Sequence, residues 1–387
     1  MIDRSLFLKT HKSTILLGPR LTGKSSLLRS LLKDSPHWYV DLLHLKNRNR
    51  YASTPDAFRE EALFQIQSKK IKTFYIDEIQ KAPLLLDEIH SLIEEFKITV
   101  FLSGSSPRKL KRGEANLLGG RVPIRHLMPF TTAELKEHFN LEQALQFGLL
   151  PGIYFSEKED FKPKLVTYVD SYLKEEIAAE GIIRKLEPFS RFLEVAGIYA
   201  GQSLNFSNIS RESSVPLKTV QNYFQILEDT MITFILPAWD KNIKKQLAIT
   251  PKFYFFDSGI TNVLTNHLDE AIDAQQKGHL FEQFIVNECR ACKSYQLSLK
   301  KLFFWRTQTN NEVDLILANG RKIEAAIEIK YKHELTQKDF SGLDVFHEEH
   351  PDTPRYLIYL GDTKAKKQGV HIYNYRQFIL DIMPGLL

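Results

Sequence analysis

The stretch that decides the fold is "GPRLTGKS", residues 18–25, which directly follows the apolar run "TILL". It has the pattern G-x-x-x-x-G-K-[ST] in full. Glycines adopt backbone angles that other residues resist, so successive N–H groups can point at phosphate oxygens. The following "KSSLLRSLLK" begins a helix, whose N-terminal dipole favours the same anion. The sequence therefore predicts a phosphate-binding loop between a buried strand and a helix.

Two side chains of this loop have predicted roles. We expect Lys24 to neutralise the β- and γ-phosphates of a nucleotide and the Ser25 hydroxyl to bind Mg²⁺. The residues predicted to contact the nucleotide are Gly18, Pro19, Arg20, Leu21, Thr22, Gly23, Lys24, Ser25 and Ser26. The alternative is a Gly-Lys-Ser turn that only connects a strand to an amphipathic helix.

A second segment, "FYIDE" at residues 74–78, runs from apolar and aromatic residues into two carboxylates. This pattern fits a buried parallel strand that ends at the ligand edge of an α/β sheet. Asp77 is predicted to bind Mg²⁺ and Glu78 to polarise a water against the γ-phosphate. An ordinary strand that meets solvent could also end in two acids. Together the two segments favour nucleotide binding, with ATP and Mg²⁺ as cofactors.

Strand-like and helix-like runs alternate over residues 13–127, which predicts a parallel, doubly wound α/β sheet. The unit that starts with "WYVDLL" lies between the loop and the acidic strand. With Glu78, this order resembles the additional-strand, catalytic-glutamate class of P-loop ATPases. The segments "GPRLTGKS", "DEIQKAPLLLDEIHSLIE" and "FLSGSSPRKLKRGEANLLGGR" resemble AAA+-type ATPases of bacteria and archaea that carry a C-terminal extension of uncharacterised role.

The resemblance implies an AAA+ core at residues 1–130, with Ser105 as the polar sensor at the end of the fourth strand. It also implies a homo-oligomer, such as a hexameric ring. Arg121 would reach the γ-phosphate of a neighbouring subunit, with Arg108 and Arg112 as competing candidates. A solvated surface loop is the alternative for this basic segment.

Two further segments are predicted before residue 271. Residues 131–200 read as amphipathic helices that form a lid, and residues 201–270 as a winged-helix-like segment. In the second segment, two helices with a turn at Val215-Pro216 precede "MITFILPAW" and "LAITPKFYFFD", which are predicted strands. The intervening "DKNIKK" would form a wing with basic residues at its tip, namely Lys241, Lys244 and Lys245. Winged helices bind DNA but also bind proteins, so both partners stay open.

The C-terminal residues 271–387 offer a second group of acids, Glu282, Asp314 and Glu328, with Lys330. Converging carboxylates with a lysine can hold Mg²⁺ and activate water for phosphodiester cleavage. The order resembles the PD-(D/E)xK nuclease superfamily, although Val313 stands where that motif has proline. The resemblance implies an α/β nuclease-like domain in which the three acids bind metal, with nuclease activity left open.

The hairpin between these residues poses a geometric problem. A two-residue Asn319-Gly320 turn would pair Asp314 with Ala325, so that Asp314 and Glu328 would point to opposite faces. Shared metal binding therefore requires an odd-length loop or a β-bulge. The alternative is an antiparallel hairpin whose outer face is simply charged.

Composition limits the function further. The chain has 387 residues, 43% of them hydrophobic, and a net charge of +5 from 52 basic and 47 acidic residues. Such a chain can bury real cores, and a nucleic-acid surface on it must be local. The first residues lack a long apolar segment and no run approaches 18 apolar residues, which predicts a cytoplasmic protein without membrane contact.

The function predicted from these features is an ATP-hydrolysing, Mg²⁺-dependent AAA+ protein that acts on or binds DNA, including branched or broken DNA. The alternative is a nucleotide-dependent regulatory switch. Such a switch would bind a protein partner or a promoter and would carry an inactive nuclease-like domain.

Overall fold

The computed structural model describes residues 2–105, 122–173, 186–269 and 272–387. They belong to two compact units. The N-terminal unit spans residues 3–128 and 229–231, and the C-terminal unit spans residues 129–228 and 232–387 together with Ile2. The predicted division of residues 131–387 into a lid, a winged-helix segment and a nuclease-like domain stays a prediction.

The N-terminal unit contains a five-stranded parallel sheet in the order β2-β3-β4-β1-β5. Its strands are β1 (Thr14–Leu17), β2 (Trp38–Asp41), β3 (Thr73–Asp77), β4 (Thr99–Gly104) and β5 (Ile124–His126). Its helices are α1 (Lys24–Leu32), α2 (Leu45–Ser53), α3 (Pro55–Gln67) and α4 (Leu85–Phe96). The predicted α/β fold with a parallel sheet is confirmed.

Burial explains why these segments form this sheet. All four residues of β1 are buried, as expected for a strand covered on both faces. Helix α4 buries Leu85, Ile89 and Leu92, which share one helical face. Because parallel strands end at the same edge of a sheet, the residues after β1, β3 and β4 open on one edge. That edge carries the loop at 18–25, the acidic pair and Ser105.

The first half of the C-terminal unit is mainly helical. Its helices are α5 (Thr132–Leu135), α6 (Leu141–Phe147), α7 (Pro151–Tyr154), α8 (Lys158–Thr167), α9 (Leu186–Ile198), α10 (Phe206–Ser213), α11 (Leu217–Asp229), α12 (Ile243–Ala248) and α13 (Ser258–Leu264). Strands β6 (Thr233–Leu236) and β7 (Lys252–Phe255) pair antiparallel. Segments of 3₁₀- or π-helix lie at Ile79–Lys81 in the N-terminal unit and at Lys136–His138, Tyr168–Leu173, Gln337–Phe340 and Phe378–Ile382 in the C-terminal unit.

The segment predicted as a winged helix differs from expectation at its tip. Helices α10 and α11, joined by a turn at Ser214 (φ 54°), precede the β6–β7 pair, as the sequence predicted. Between the two strands, however, lies helix α12 and not a simple loop. Asn242 begins this helix by accepting hydrogen bonds from the N–H groups of Lys244 and Lys245. The predicted wing is therefore corrected: Lys244 and Lys245 lie on a short helix, and Lys241 precedes it.

The second half of the C-terminal unit contains a mixed six-stranded sheet in the order β12-β13-β11-β10-β9-β8. Its strands are β8 (Lys301–Arg306), β9 (Glu312–Asn319), β10 (Lys322–Ile329), β11 (Arg355–Tyr359), β12 (Ala365–Lys367) and β13 (Val370–Asn374). Its helices are α14 (Ala274–Gln296), α15 (Ser341–Glu349), α16 (Tyr375–Gln377) and α17 (Met383–Leu386). Within the described ranges, no helix is both long enough and apolar enough to cross a membrane.

A buried carboxylate joins the helical half of this unit to α14. The Glu288 carboxylate accepts hydrogen bonds from the Thr132 N–H (2.7 Å) and the Thr132 hydroxyl (2.8 Å) at the start of α5. Burial, with a smaller effect of the neighbouring Glu134 carboxylate, raises the pKa of Glu288 to about 7. The contact thus holds α5 on α14 with a carboxyl group that titrates near neutral pH.

Replacing Glu288 with glutamine is expected to change how stability depends on pH. The folded-state pKa lies above the usual 4.5, so the folded protein binds more protons between these values. The wild-type free energy of unfolding therefore falls as the pH rises through this window, by about 3 kcal/mol from this group. Glutamine keeps an acceptor for Thr132 but does not titrate. The free energy of unfolding of Glu288→Gln should therefore not show this decrease with rising pH.

Urea denaturation from about pH 5 to pH 8 measures the effect. The exposed Glu137 on the neighbouring turn provides the control, Glu137→Gln, which should keep the wild-type pH profile. Identical profiles for wild type and Glu288→Gln would contradict the assignment.

Candidate functional site

The loop between β1 and α1 closes around its own lysine. Lys24 Nζ donates hydrogen bonds to the carbonyl oxygens of Gly18 (2.8 Å) and Pro19 (2.9 Å), and the Lys24 side chain is buried. The Thr22 hydroxyl donates to the same Pro19 oxygen at 2.9 Å. These contacts hold a positive charge inside the loop. Of the other predicted contact residues, Arg20 and Ser25 are half-buried, and Leu21 and Ser26 are exposed.

Two glycines make this loop possible. A Cβ on Gly18 would lie 2.3 Å from the Leu127 carbonyl oxygen, so a side chain cannot fit there. Gly23 has φ 90° and directly precedes α1. Since Gly23 has no side chain with which to cap the helix, the first N–H groups of α1 face the loop. A buried ammonium and a helix N-terminus in one loop fit an anionic phosphate.

The acidic pair follows at the end of β3. The Asp77 carboxylate accepts hydrogen bonds from the hydroxyl groups of Ser103 and Tyr39. Burial and the Asp77 charge raise the pKa of Tyr75, whose hydroxyl lies beside Ser25, Ser103 and Asp77. The two predicted magnesium ligands, Ser25 and Asp77, therefore lie around one tyrosine hydroxyl.

Glu78 is held in an unusual conformation by a neighbour that the sequence did not reveal. It is a non-glycine residue with φ 60°, which is uncommon outside turns and functional sites. Gln80 Nε2 donates to Glu78 Oε2 (2.5 Å) and to the Ser105 hydroxyl (2.9 Å). Gly104 leaves room for this amide, since a Cβ there would lie 2.7 Å from Gln80 Oε1. Gln80 thus connects the predicted catalytic glutamate to the predicted sensor.

Sequence reasoning missed Gln80 and Ser103. Gln80 follows two residues after Glu78, and Ser103 precedes Ser105 by two, but the contacts that they make depend on β3 and β4 being neighbours in the sheet. The arginines predicted to act between subunits, Arg121 with Arg108 and Arg112 as alternatives, lie outside the described residues. Their roles stay predictions.

In the mixed sheet, the hairpin between β9 and β10 contains the irregularity that the sequence required. The pairs on either side of it are Ile323 with Ala318 and Ala325 with Leu317. Glu324 is therefore an extra residue, which defines a β-bulge. Continuing the register puts Glu328 opposite Asp314, and opposite residues on paired strands share a face. The predicted bulge is confirmed, and with it the common orientation of Asp314 and Glu328.

Glu282, on α14, lies at the same sheet but is bound by residues of β7. Its Oε1 atom is 2.8 Å from Lys252 Nζ and accepts a 2.5 Å hydrogen bond from the Tyr254 hydroxyl. Lys252 Nζ also lies 2.5 Å from Glu312 Oε1, and Arg306 donates to the other Glu312 oxygen. Although burial alone would raise the pKa of Glu282, Lys252 lowers it.

Within the described residues, the acids whose oxygens come within 4.8 Å of one another are Glu282, Glu312 and Asp314. Glu312 was not predicted from the sequence, and Glu328 is not part of this group. Glu328 pairs with Lys330 at 2.5 Å, while Asp314 accepts a 2.8 Å hydrogen bond from the Ile329 N–H. We call Glu282, Glu312, Asp314 and Glu328 the carboxylate cluster.

Burial sets the protonation of the cluster. Burial, followed by the Glu282 charge, raises the pKa of Asp314 to about 6. Burial and the Asp314 carboxylate raise the pKa of Glu328 well above its usual value. Burial alone would lower the pKa of Lys330, but Asp314 and Glu328 raise it above its usual value. The cluster therefore combines converging acids with charged lysines.

A basic surface lies elsewhere in the C-terminal unit. Lys241, Lys244 and Lys245 are exposed and, with the exposed Arg321 of the β9–β10 turn, line one shallow depression. Arg321 was not predicted from the sequence. The Trp239 N–H donates to the Phe304 carbonyl oxygen at 2.6 Å, which attaches the chain before α12 to β8. Four cations from two segments thus form the basic surface.

The loop at residues 18–25 lies in a part of the chain that matches a known domain family. Residues 10–136 match the AAA domain family. Residues 138–271 and 277–378 match two domains of unknown function, DUF8612 and DUF4143. The chain therefore contains an AAA-type ATPase domain followed by two domains whose family descriptions assign no function. No curated protein matches the chain.

Among the solved structures that resemble the chain, two show how limited the similarity is. The Orc1 protein of Aeropyrum pernix in complex with DNA is 14% identical, covers 66% of this chain and 86% of its own, and gives a TM-score of 0.32. A signal transduction ATPase (STAND) protein with a tetratricopeptide repeat sensor from Pyrococcus horikoshii is 11% identical, with 77% of this chain covered and a TM-score of 0.26. This match spans 49% of that protein. At these scores neither structure supports an inference about the site.

Helix α15 packs closely over the carboxylate cluster through Gly342, which generates a stability prediction. A Cβ on Gly342 would lie 2.0 Å from the Glu312 carbonyl oxygen and 3.4 Å from Glu328 Oε2. Gly342→Ala should therefore force α15 or β9 to move and destabilise the protein by about 1–3 kcal/mol.

The matched control is Gly278→Ala. Gly278 lies inside α14, and apart from its chain neighbours and the backbone of its own helix, no described atom lies within 4 Å of its Cβ position. Alanine there should stabilise the protein by about 0.5–1 kcal/mol, because glycine is a poor helix former. Thermal denaturation should shift the two variants in opposite directions, and a wild-type Tm for Gly342→Ala would refute the close packing.

Proposed function

We propose that this protein hydrolyses ATP with Mg²⁺ while bound to DNA. The observation that carries the proposal is the meeting of Lys24, Ser25, Asp77 and Glu78 at the ends of β1 and β3. A buried ammonium, a helix N-terminus and a carboxylate beside a serine hydroxyl suit a nucleotide phosphate with its metal.

Each residue has a role in this proposal. Lys24 and the backbone N–H groups of residues 18–26 bind the phosphates, and Ser25 and Asp77 hold the ion. Glu78 orients the attacking water, and Ser105 contacts the γ-phosphate as a sensor. Bound Mg²⁺ would neutralise phosphate oxygens. Gln80, which contacts both Glu78 and Ser105, is a positioning residue.

Two variants separate binding from chemistry. Lys24→Ala should weaken ATP binding, because the loop loses its central charge. Glu78→Gln should bind ATP normally and hydrolyse it about 100-fold or more slowly, because the carboxylate acts mainly in the transition state. Calorimetry with ATP and a phosphate-release assay measure the two effects, and Glu60→Gln on the exposed side of α3 is the control. Glu78→Gln turnover at the wild-type rate would show that another residue activates the water.

A homo-oligomer, such as a hexameric ring, belongs to this proposal. ATPases of this kind can complete their sites with an arginine from a neighbouring subunit. Arg121 is the first candidate in this chain, followed by Arg108 and Arg112. Light scattering with a non-hydrolysable ATP analogue tests the assembly, and a strict monomer with full activity would refute it.

DNA binding is proposed for the basic surface formed by Lys241, Lys244, Lys245 and Arg321. Four exposed cations from two segments can contact consecutive phosphates of a duplex. The preceding α10–α11 pair with the β6–β7 strands has the element order of a winged helix, which supports the same partner.

The triple variant Lys241→Ala/Lys244→Ala/Lys245→Ala should weaken binding to any duplex sequence. The slope of log affinity against log salt is negative, and each lost phosphate contact makes it less steep by about 0.9. For three lysines, a total change in steepness of about 2–3 is expected. Fluorescence anisotropy with a mixed-sequence duplex at several salt concentrations measures this slope. A control with the same charge change, Lys158→Ala/Lys338→Ala/Lys366→Ala, removes exposed lysines from other surfaces. Equal slopes for the two triple variants would place the DNA surface elsewhere.

A PD-(D/E)xK nuclease-like fold is proposed for the C-terminal sheet. Supporting features are Glu282 on a helix, Asp314 on β9, and Glu328 with Lys330 at the end of β10. Metal binding by Glu282, Asp314 and Glu328 is a separate proposal. It depends on the cations that these acids already contact, which are Lys252 for Glu282 and Lys330 for Glu328.

A nucleotide-dependent regulatory switch is the alternative function, favoured by the hydrogen bond that holds Glu78 on Gln80. ATP turnover measured with linear, single-stranded and four-way DNA separates the two. Stimulation by DNA supports a DNA-dependent machine, whereas an unchanged slow rate supports the switch.

A further inference from the structure

The carboxylate cluster already contains a cation that belongs to the protein. Lys252 Nζ lies 2.8 Å from Glu282 Oε1 and 2.5 Å from Glu312 Oε1. Both glutamates belong to the group of three acids whose oxygens come within 4.8 Å of one another. The Lys252 side chain is only 3% exposed, so its charge is balanced inside the protein and not by water.

The backbone around Lys252 fixes this position. Lys252 is the first residue of β7, where it pairs with Leu236 of β6 on one side and forms a bridge with Ser203 on the other. Tyr254 lies two residues along the same strand, hence on the same face, and donates to Glu282 as well. The β7 strand therefore delivers an ammonium and a hydroxyl to one carboxylate of α14.

The carboxylate oxygens that face Lys252 already have cationic or hydroxyl partners. Glu282 Oε1 accepts from both Lys252 and Tyr254, and Arg306 binds Glu312 Oε2. A divalent ion held by these acids would lie within a few ångströms of the Lys252 ammonium, and like charges at that distance repel strongly in a buried site. Lys252 and a metal therefore compete for the same carboxylates.

We propose that Lys252 is the resident cation of the carboxylate cluster, with its ammonium in the position that a divalent metal needs, so that metal binds only when Lys252 is withdrawn. The inference rests on the proposed nuclease-like domain only for what a bound metal would do. While Lys252 holds this position, the carboxylate cluster does not bind a divalent metal.

Mn²⁺ binding to the full chain, measured by calorimetry without nucleotide or DNA, tests the proposal. Wild type should show no Mn²⁺ site that depends on Asp314. Lys252→Met should gain about one site per chain, with affinity at least tenfold above wild type, and Mn²⁺ should raise its Tm. Lys252→Arg, which keeps the charge, should behave like wild type. Lys300→Met, which removes the lysine paired with Glu324 on the same sheet, should also behave like wild type.

Two results would overturn the proposal. The first is a wild-type Mn²⁺ site that Asp314→Asn abolishes, which decides the question even if Lys252→Met does not fold. The second is a folded Lys252→Met protein that binds no more Mn²⁺ than wild type. Because neither ATP nor DNA is present, these results are independent of the tests of ATP hydrolysis and DNA binding.

Discussion

A carboxylate removed from water must be protonated or paired, and this requirement determines how distant segments of the C-terminal unit are joined. Glu288 connects α5 to α14, and Glu282 and Glu312 connect β7 to α14 and β9. Breaking a buried ion pair by removing one partner costs about 3–5 kcal/mol, more than most single apolar contacts contribute. Residues predicted to belong to a lid, a winged helix and a nuclease-like domain are therefore linked by buried polar contacts, in agreement with their clustering as one compact unit.

The parts that could be predicted from the sequence are those that contiguous residues determine. The loop at 18–25 needs its glycines and lysine at fixed spacing, and β3 shows its buried face and its acidic end within five residues. The bulge at Glu324 was predictable for a related reason. The two-residue period of strands leaves only an extra residue or an odd loop to bring Asp314 and Glu328 to one face.

The parts that could not be predicted depend on partners far apart in the chain. Nothing in the residues around Lys252 indicates that its ammonium meets Glu282 and Glu312, which lie 30 and 60 residues later. Gln80 lies close to Glu78 in sequence, yet its contact with Ser105 depends on β3 and β4 being neighbours in the sheet. Helix α12 was not predicted, because the basic stretch around it was interpreted as a loop. In the structure, the Asn242 side chain caps this stretch as a short helix.

The two groups of acids differ in the donors that surround them, and this difference bears on where a metal can bind. Asp77 accepts hydrogen bonds from the neutral hydroxyl groups of Ser103 and Tyr39, which orient the carboxylate without cancelling its charge. Glu282 and Glu312 instead both contact the ammonium of Lys252. Glu312 also contacts the guanidinium of Arg306, and Glu328 contacts Lys330. A divalent cation gains most where an oriented carboxylate keeps its negative charge, and it must displace a tethered cation where it does not. The donor chemistry therefore agrees with the proposed Mg²⁺ site at Asp77 and with the proposal that Lys252 occupies the acids of the C-terminal sheet.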